Sequence, residues 1–228
     1  MSTILSKIAL KAKENPKMRF TSLAHLLTPE FLKETWKQMN KRAASGIDGE
    51  TMKEFGKELD RRVEEVVERL KTGSYKAPAI RRVEIPKGNG KTRPLGITTV
   101  EDRLVQRAVA RILSSIFEQD FLDLSYGYRP GRSPHDALKS LRSQIVTKKV
   151  RHVFEADIRG YFTKINHQWL RRMLAERIAD RALLRLVNKW LKAGVMVDGV
   201  SVRQESGTPQ GGPISCVLAN IYLHYVLA

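Results

Sequence analysis

Cysteine is nearly absent from this sequence, since Cys216 is the single one among 228 residues. One cysteine cannot form a disulfide within the chain, and no group of Cys and His residues has the spacing of a zinc site. The sequence also lacks the apolar run of about 20 residues that a membrane helix requires, and its first residues lack the apolar segment of a signal peptide. We therefore expect a cytoplasmic protein with no membrane partner, in which Cys216 is a small core residue.

Acidic residues are scarce as well, because 24 Asp and Glu stand against 41 Lys and Arg. The formal charge of +17 indicates a polyanionic partner, with nucleic acid the leading one. Two stretches, 75–100 and 126–151, concentrate basic residues, and each contains a single acidic residue. This distribution favours a groove lined by several elements. Part of the charge fits solvated helix faces instead, an alternative that suits Arg171, Arg172, Arg177, Arg181 and Arg185 best.

Apolar spacing and capping residues predict a chain in which helices alternate with β-hairpins. Helices are predicted after Thr28-Pro29, from Met52 to about Gly73, after Thr99, after Ser133, after Asn166, from Arg181 to Leu191 and from Ile214 to Leu227. Hairpins are predicted at 81–98 and 195–202, and an apolar strand at 153–158. A long series of regular βαβ units is not visible, so the predicted fold class is α+β.

The predicted strand at 153–158 delivers the carboxylate of Asp157, and the ring of Phe162 follows five residues later. A carboxylate at the end of a strand can act as a hard oxygen ligand for Mg²⁺, which binds few protein groups and keeps waters and substrate phosphates. The alternative for Asp157 is a turn residue, and the alternative for Phe162 is a core aromatic. Taken alone, the two residues do not decide between these interpretations.

Two loops carry residues suited to ligand contact. Segment 207–213 contains three glycines and two prolines, so it cannot be regular structure and its backbone can approach a ligand closely. Because Gln210 adds an amide there, we favour a substrate-contacting loop over a plain turn. Segment 125–133 interleaves two tyrosines with Arg129 and Arg132, which can stack on bases and pair with phosphates. Its alternative is a surface loop anchored by its tyrosines.

In their order and spacing, these segments resemble the group II intron-encoded reverse transcriptases, the maturase family, over about residues 20 to 227. The resemblance rests on Ala44-Ser45-Gly46-Ile47-Asp48-Gly49, Arg81-Arg82-Val83-Glu84-Ile85-Pro86-Lys87, Thr92-Arg93-Pro94-Leu95-Gly96-Ile97, Ser125-Tyr126-Gly127-Tyr128-Arg129-Pro130-Gly131-Arg132-Ser133, the Asp157 strand and Gly207-Thr208-Pro209-Gln210-Gly211-Gly212-Pro213. Each motif is suggestive, and the ordered set is specific.

The resemblance implies a right-hand polymerase with an N-terminal extension at 1–45, reverse transcriptase fingers at 46–150 and part of the palm at 151–228. It implies that Asp157 is the first aspartate of a two-metal Mg²⁺ site, and that Phe162 crowds the ribose 2′-hydroxyl and so favours deoxynucleotides. The further residues that it implies are Lys87, Arg93, Gln210 and Gly211 for the nucleotide, and Arg81, Arg82, Arg129, Arg132, Pro209 and Gln210 for RNA or template.

Two positions depart from the family pattern, because Thr163 replaces an acidic residue and Cys216 replaces a proline. The larger departure concerns the family's Tyr-Ala-Asp-Asp hairpin, which carries the other catalytic carboxylates and falls downstream of Ala228. A single aspartate cannot hold two metal ions. We therefore expect this chain to bind RNA and to be unable to polymerise alone.

The implied function is an RNA-directed DNA polymerase that also binds its intron RNA and assists splicing and mobility. Its expected partners are structured group II intron RNA, a primer–template duplex and deoxynucleotides, and its palm surface allows self-association or docking of a complementing C-terminal chain. Two alternatives stay open: a non-catalytic RNA-binding splicing cofactor on a polymerase scaffold, and a split enzyme whose missing carboxylates come from another chain. The basic segment up to Arg19 is either an RNA-clamping arm or a solvated helix face.

Overall fold

The structure, a computed structural model, describes residues 3–86, 90–197, 200–202, 206–208 and 211–227. The α-helices in this part of the chain are α1 (Thr3–Glu14), α2 (Pro29–Lys37), α3 (Met52–Lys57), α4 (Leu59–Lys71), α5 (Val100–Phe117), α6 (Pro134–Thr147), α7 (Tyr161–Lys164), α8 (His167–Arg177), α9 (Arg181–Leu191) and α10 (Pro213–Leu227). The strands are β1 (Ile80–Pro86), β2 (Thr92–Ile97), β3 (Val195–Val197) and β4 (Val200–Val202). Helices and antiparallel hairpins are mixed, as the α+β prediction requires.

The two predicted hairpins are confirmed, and they join into one sheet with the strand order β2-β1-β3-β4. Within the first hairpin, Arg81 lies opposite Ile97 and Pro86 lies opposite Thr92. A short parallel pairing, with Ile80 opposite Val195, connects the second hairpin to the first. The sequence did not predict this connection, because parallel pairing between strands more than 100 residues apart leaves no local signal. The turn residues 87–89 and 198–199 lie outside the described residues.

Helix α5 is the centre of the core, and α1, α2 and α10 pack against it. Its apolar residues are buried around most of its circumference, which is expected of a helix enclosed by other helices. The predicted caps hold it and its neighbours in place, since the side chains of Thr28, Thr99 and Ser133 each accept a backbone N–H from the first turn that follows. In the described part of the chain, no helix is long and apolar enough to cross a membrane.

The predicted helix from Met52 to Gly73 is interrupted. Glu58 has φ −117° and ψ 27°, which is not helical geometry, and it separates α3 from α4. Both helices still face the core, with Met52 and Phe55 buried on α3 and Val63 buried on α4. The apolar spacing across the break resembles one continuous helix, and this explains why the sequence did not show it.

The predicted strand at 153–158 is wrong for this structure. These residues have no regular secondary structure, and Phe154 is 92% exposed. A strand needs a neighbouring strand to take up its backbone hydrogen bonds. The backbone of 151–158 makes no hydrogen bond to any described residue. This apolar sequence is therefore exposed and without regular secondary structure where a strand was predicted.

The N-terminal helix α1 packs on the core through Leu5 and Ala12, while its lysines point to solvent. Arg177, at the end of α8, donates hydrogen bonds to the carbonyl oxygens of Ala12 at 2.9 Å, Asn15 at 3.1 Å and Pro16. The prediction that Arg177 lies on a solvated helix face is therefore wrong. It is a buried arginine that caps the C-terminal end of α1.

Candidate nucleotide and RNA site

The start of the 207–213 segment is bound to the backbone around Phe162. The N–H of Gly207 donates to the carbonyl oxygen of Ile165 at 2.7 Å, and the N–H of Thr208 donates to the carbonyl oxygen of Phe162 at 2.7 Å. A Cβ at Gly207 would lie 2.8 Å from the carbonyl oxygen of Phe162, and the glycine has φ +86°. Both facts require glycine at this position.

The far end of the same segment lies against β2. Gly211 has φ +112°, and a Cβ on it would lie 2.4 Å from the carbonyl oxygen of Gly96. This close approach again requires glycine. Pro209 and Gln210, which were predicted to contact nucleotide or template, lie outside the described residues. The segment therefore connects the Phe162 backbone to β2, the strand that carries Arg93.

The ring of Phe162 is half-buried within an aromatic group. It makes edge-on contacts with Tyr128, at 6.0 Å between ring centroids, and with Tyr161, at 5.8 Å. The hydroxyl of Tyr161 donates to the carbonyl oxygen of Ala219 at 2.6 Å, and burial raises the pKa of Tyr161 to about 12. These rings and α10 line an apolar cavity of about 540 Å³. Phe162 is thus held at the edge of an open space.

Asp157 is exposed and lies outside any helix or strand. Within the described residues, no group of three or more His, Cys, Asp or Glu side chains is arranged to hold a metal ion. One carboxylate can supply one hard oxygen ligand, which is not enough for a two-metal site. The described residues therefore do not fit a two-metal site.

The basic residues of the first hairpin have different surroundings. Arg93 on β2 is exposed, opposite Ile85 of β1. Arg82 pairs with Glu84 at 2.6 Å and is also partly exposed. Arg81 instead donates to the carbonyl oxygen of Ser45 at 2.7 Å and so fastens β1 to the preceding loop. Lys87 lies outside the described residues. Arg93 is therefore the exposed arginine of this hairpin that has no acidic partner among the described residues, and its role in binding the nucleotide stays a prediction.

Arg129 is buried and is held by internal contacts. It pairs with Glu118 at 2.9 Å and donates to the carbonyl oxygens of Leu122 at 2.7 Å and Ser125 at 2.8 Å. The interpretation of Arg129 as part of an RNA-facing surface is corrected on this geometry, because the side chain is buried and its Nε and Nη1 already have partners. Arg129, rather than the tyrosines, anchors the loop.

Arg132 keeps a more open position in the same loop. It donates to the carbonyl oxygen of Asp123 at 2.8 Å, pairs with the Asp123 carboxylate at 3.1 Å and lies over the ring of Tyr126. The Asp123 carboxylate is almost fully exposed, so this pair is weakly held and can exchange for a phosphate. Its predicted role at the template stays a prediction.

Comparison with known proteins identifies the family. The family model described as reverse transcriptase (RNA-dependent DNA polymerase) matches residues 85–228. The chain belongs to the reverse transcriptase family. It is 39% identical over 226 residues to the group II intron-encoded protein LtrA of Lactococcus lactis subsp. cremoris, which covers 97% of this chain and 37% of that protein. It is 36% identical over 231 residues to Protein YkfC of Escherichia coli (strain K12), covering 98% of this chain and 61% of that protein.

These relatives confirm the resemblance to group II intron reverse transcriptases and maturases. This reverse transcriptase chain spans between about a third and two thirds of the length of the two relatives. A solved structure described as a partial Cas6-RT-Cas1–Cas2 complex has a TM-score of 0.56 and 21% sequence identity, and the match covers 87% of this chain and 33% of that one. This structural match confirms the reverse transcriptase fold.

This reverse transcriptase has a buried polar group near the glycine segment that its sequence does not predict. The carboxylate of Asp102 accepts hydrogen bonds from the Tyr75 hydroxyl at 2.5 Å, the Trp190 indole at 2.7 Å and the Gln106 amide at 2.8 Å. Burial raises the pKa of Asp102 to about 6. The available signal was the pair of polar residues at positions i and i+4 on the apolar side of α5, Asp102 and Gln106.

His167 is a second missed residue in the reverse transcriptase site. It is buried at the start of α8, and its Nε2 lies 2.6 Å from the carbonyl oxygen of Gly207. Three hydrogen bonds therefore hold the beginning of the glycine segment: this one and those donated by the N–H groups of Gly207 and Thr208. In the sequence, His167 is only a histidine after a capping asparagine, and this pattern does not predict such a contact.

Proposed function

We propose that this chain is the fingers and part of the palm of a group II intron-type RNA-directed DNA polymerase. The complete enzyme copies RNA into DNA, binds its intron RNA and assists splicing and mobility. One observation carries the proposal: the glycine segment joins the backbone of Phe162 to β2, the strand that bears Arg93. The residue proposed to sense the sugar and the residue proposed to bind the triphosphate are thereby linked through one short segment.

The chemistry of nucleotide addition explains the proposed roles. The transferring phosphoryl group carries negative charge on its oxygens, and a fixed guanidinium such as that of Arg93 stabilises it. A half-exposed ring such as that of Phe162 can reject a 2′-hydroxyl by crowding it. Gly211, which has no side chain, lets its backbone approach the base pair or nucleotide. Asp157 is proposed as one Mg²⁺ ligand, with the partner carboxylates supplied from outside this chain.

The charge and the relatives support an RNA partner. A net charge of +17 favours a polyanion, and one relative bears the name group II intron-encoded protein while another, from Arabidopsis thaliana, is named a nuclear intron maturase. We propose structured intron RNA, a primer–template duplex and deoxynucleotides as the partners of this chain, and the cytoplasm as its compartment. Exposed basic side chains on α6, including Lys139 and Arg142, are candidates for phosphate contacts.

Primer extension tests the proposed activity. The purified chain, given an RNA template, a DNA primer, Mg²⁺ and deoxynucleotides, should bind the duplex without extending it, because it presents one candidate carboxylate. Adding a second polypeptide that carries the rest of a relative's palm should restore extension, and Asp157→Asn should abolish the restored activity. Extension by the chain alone would contradict the expected dependence on other carboxylates.

A non-catalytic RNA-binding splicing cofactor is the second candidate function. The observation that favours it is the net charge of +17, which supports RNA binding without requiring catalysis. The same experiment separates the two functions, because a cofactor would bind intron RNA and promote splicing while the complemented protein still failed to extend a primer.

A further inference from the structure

Gln106 is buried on α5 and its amide has a defined orientation. Its Nε2 donates to Oδ2 of Asp102 at 2.8 Å. An ionised carboxylate only accepts hydrogen bonds, so the amide nitrogen must face Asp102 and Oε1 must face away from it. Asp102 is itself fixed by Tyr75 and Trp190. The Gln106 amide therefore cannot turn without breaking a buried hydrogen bond.

Oε1 of Gln106 faces the glycine segment. It is buried without a hydrogen-bond partner in the described structure, and a Cβ on Gly212 would lie 2.7 Å from it. An acceptor at the end of a flexible side chain would ordinarily move aside for an added methyl group. This one is held by Asp102, so Gln106 makes the closest contact at Gly212, and the Ser215 hydroxyl is the next neighbour, 3.2 Å from the same Cβ. Gly212 has no positive φ, so the restriction is one of space and not of backbone conformation.

The turn at 211–212 is thus enclosed on two sides. On one side, Gly211 lies against the carbonyl oxygen of Gly96 on β2. On the other side, Gly212 lies against the Gln106 amide. A segment enclosed in this way is held at a fixed distance from β2. This matters because small displacements of groups that orient a substrate lower the rate of reaction.

We propose that Gln106 is a positioning residue, which holds the Gly211–Gly212 turn against β2 at the distance that deoxynucleotide binding requires. The proposal rests on the proposed polymerase function and adds to it a residue that contacts neither nucleotide nor RNA. Asp102 contributes by orienting the Gln106 amide. The incoming nucleotide is affected through the backbone of the turn.

A double-mutant cycle on the polymerase-competent protein tests the positioning role. Gly212→Ala should raise KM for deoxynucleotide by about tenfold with a smaller change in kcat, because the methyl group pushes the turn away from the Gln106 amide. Gln106→Ala alone should raise KM by about threefold, because the turn is no longer held. The double variant should resemble Gln106→Ala, because the closest contact of the methyl group, 2.7 Å to Oε1 of Gln106, is then removed. Additive effects, or an unchanged KM in Gln106→Ala, would overturn the proposal.

Gly211→Ala is the matched control. Its methyl group would meet the backbone oxygen of Gly96, which no side-chain truncation removes, so Gln106→Ala should give it no relief. Relief of Gly211→Ala by Gln106→Ala would contradict the assigned contact.

Urea unfolding of wild type, Gln106→Ala, Gly212→Ala and the Gln106→Ala/Gly212→Ala double variant separates this proposal from the proposed function. Non-additive unfolding free energies for Gln106→Ala and Gly212→Ala show that the contact exists, and additive ones overturn it. If the contact exists but KM is unchanged, Gln106 is structural only and the positioning role fails. If the complemented wild type does not extend a primer at all, the polymerase function fails and the positioning role with it, while the contact is still decided by unfolding.

Discussion

The backbone N–H of Thr208 donates to the carbonyl oxygen of Phe162 at 2.7 Å, so main-chain atoms join the glycine segment to the proposed sugar gate. The bond does not involve the Phe162 ring. The ring can therefore be removed while the attachment of the segment stays in place. Replacement of Phe162 is for this reason a clean test of selectivity.

Phe162→Ala should relax the rejection of ribonucleotides in the polymerase-competent protein. Loss of the ring opens space beside the sugar, and discrimination that depends on shape is worth about tenfold to a few hundredfold. The measurement is the ratio of kcat/KM for deoxynucleotide to that for ribonucleotide. Tyr161→Phe is the control, because it keeps a ring and removes only the hydroxyl bonded to Ala219. Unchanged discrimination in Phe162→Ala would contradict the gate.

Arg93→Ala should raise KM for deoxynucleotide by about tenfold or more while RNA affinity changes less than about threefold, because a charge-assisted contact to triphosphate is lost. Steady-state extension and a filter-binding assay give the two numbers. Arg82→Ala removes a cation of β1 that is already paired with Glu84, and it should leave KM nearly unchanged. Equal losses of nucleotide and RNA binding in Arg93→Ala would assign Arg93 to the RNA surface instead.

RNA affinity should fall steeply with salt, by at least about a hundredfold between 50 and 200 mM monovalent salt, because the binding of several phosphates releases counterions. A titration of the chain with structured RNA measures the slope of log K against log salt. Lys139→Ala and Arg142→Ala on α6 should each lower that slope by about one, while Arg129→Ala should not, since the Arg129 guanidinium is bonded internally. A flat titration would argue against a basic groove.

Asp102 should make the chain less stable as pH rises from 4 to 7. Burial raises its folded-state pKa from 3.8 to about 6, so the stability that it contributes is fully present below pH 3.8 and is lost as pH rises through about 6. Since one pKa unit corresponds to about 1.4 kcal/mol, the loss is on the order of 3 kcal/mol. Urea unfolding of wild type and Asp102→Asn over this range should show the loss in wild type alone.

Asp136→Asn provides a comparison of opposite sign. Hydrogen bonds from Ser133 lower the pKa of Asp136 in the folded chain. The stability that this carboxylate contributes is therefore present above the ordinary pKa of an aspartate and is lost as pH falls through the lowered pKa. Removal of this carboxylate should therefore weaken the chain most at neutral pH. For Asp102, the contradicting result is a wild type whose free energy of unfolding changes with pH in the same way as that of Asp102→Asn. The pKa of Asp102 would then not be raised in the folded state.

Local features of the fold were predictable because their causes are local. Thr28, Ser133 and Asn166 accept N–H groups from the turn that follows them, which depends only on neighbours in sequence. The hairpins were visible from their turn residues in the same way. By contrast, a strand at 153–158 would need a neighbouring strand for its backbone hydrogen bonds, and an apolar run in the sequence does not show whether one is present.

Site residues were predictable where only one residue type can occupy the position. They were not predictable where the role of a residue depends on its neighbours in the folded structure. Gly207 and Gly211 were recognised because close backbone approach requires glycine. Arg129 and Arg177 were misplaced, since an arginine that bonds internal carbonyl groups has the same sequence signature as one that faces water. Gln106 was missed because its proposed role depends on a contact with Gly212, which is far away in sequence.

Arg177 provides the final prediction, on the attachment of α1. Its Nε lies 3.3 Å from Oδ2 of Asp120, and its other nitrogens bond the last carbonyl groups of α1 and the residues after it. Arg177→Met keeps most of the side-chain volume but leaves the partly buried carboxylate of Asp120 without its counter-charge. Removal of one partner of a fully buried pair costs about 3–5 kcal/mol, and because Asp120 keeps some contact with water, the free energy of unfolding should fall by about 3 kcal/mol or less.

Limited proteolysis should then show where the loss acts. If Arg177 attaches α1, cleavage within 3–19 should become faster in Arg177→Met than cleavage elsewhere, and RNA affinity should fall only to the extent that the α1 lysines contribute to it. Arg185→Met removes an exposed cation from α9 and should change neither unfolding nor the cleavage pattern. If Arg177→Met is destabilised but cleavage within 3–19 is not faster, Arg177 stabilises the chain only through its ion pair with Asp120. Its hydrogen bonds to the carbonyl groups at the end of α1 would then contribute no measurable stability.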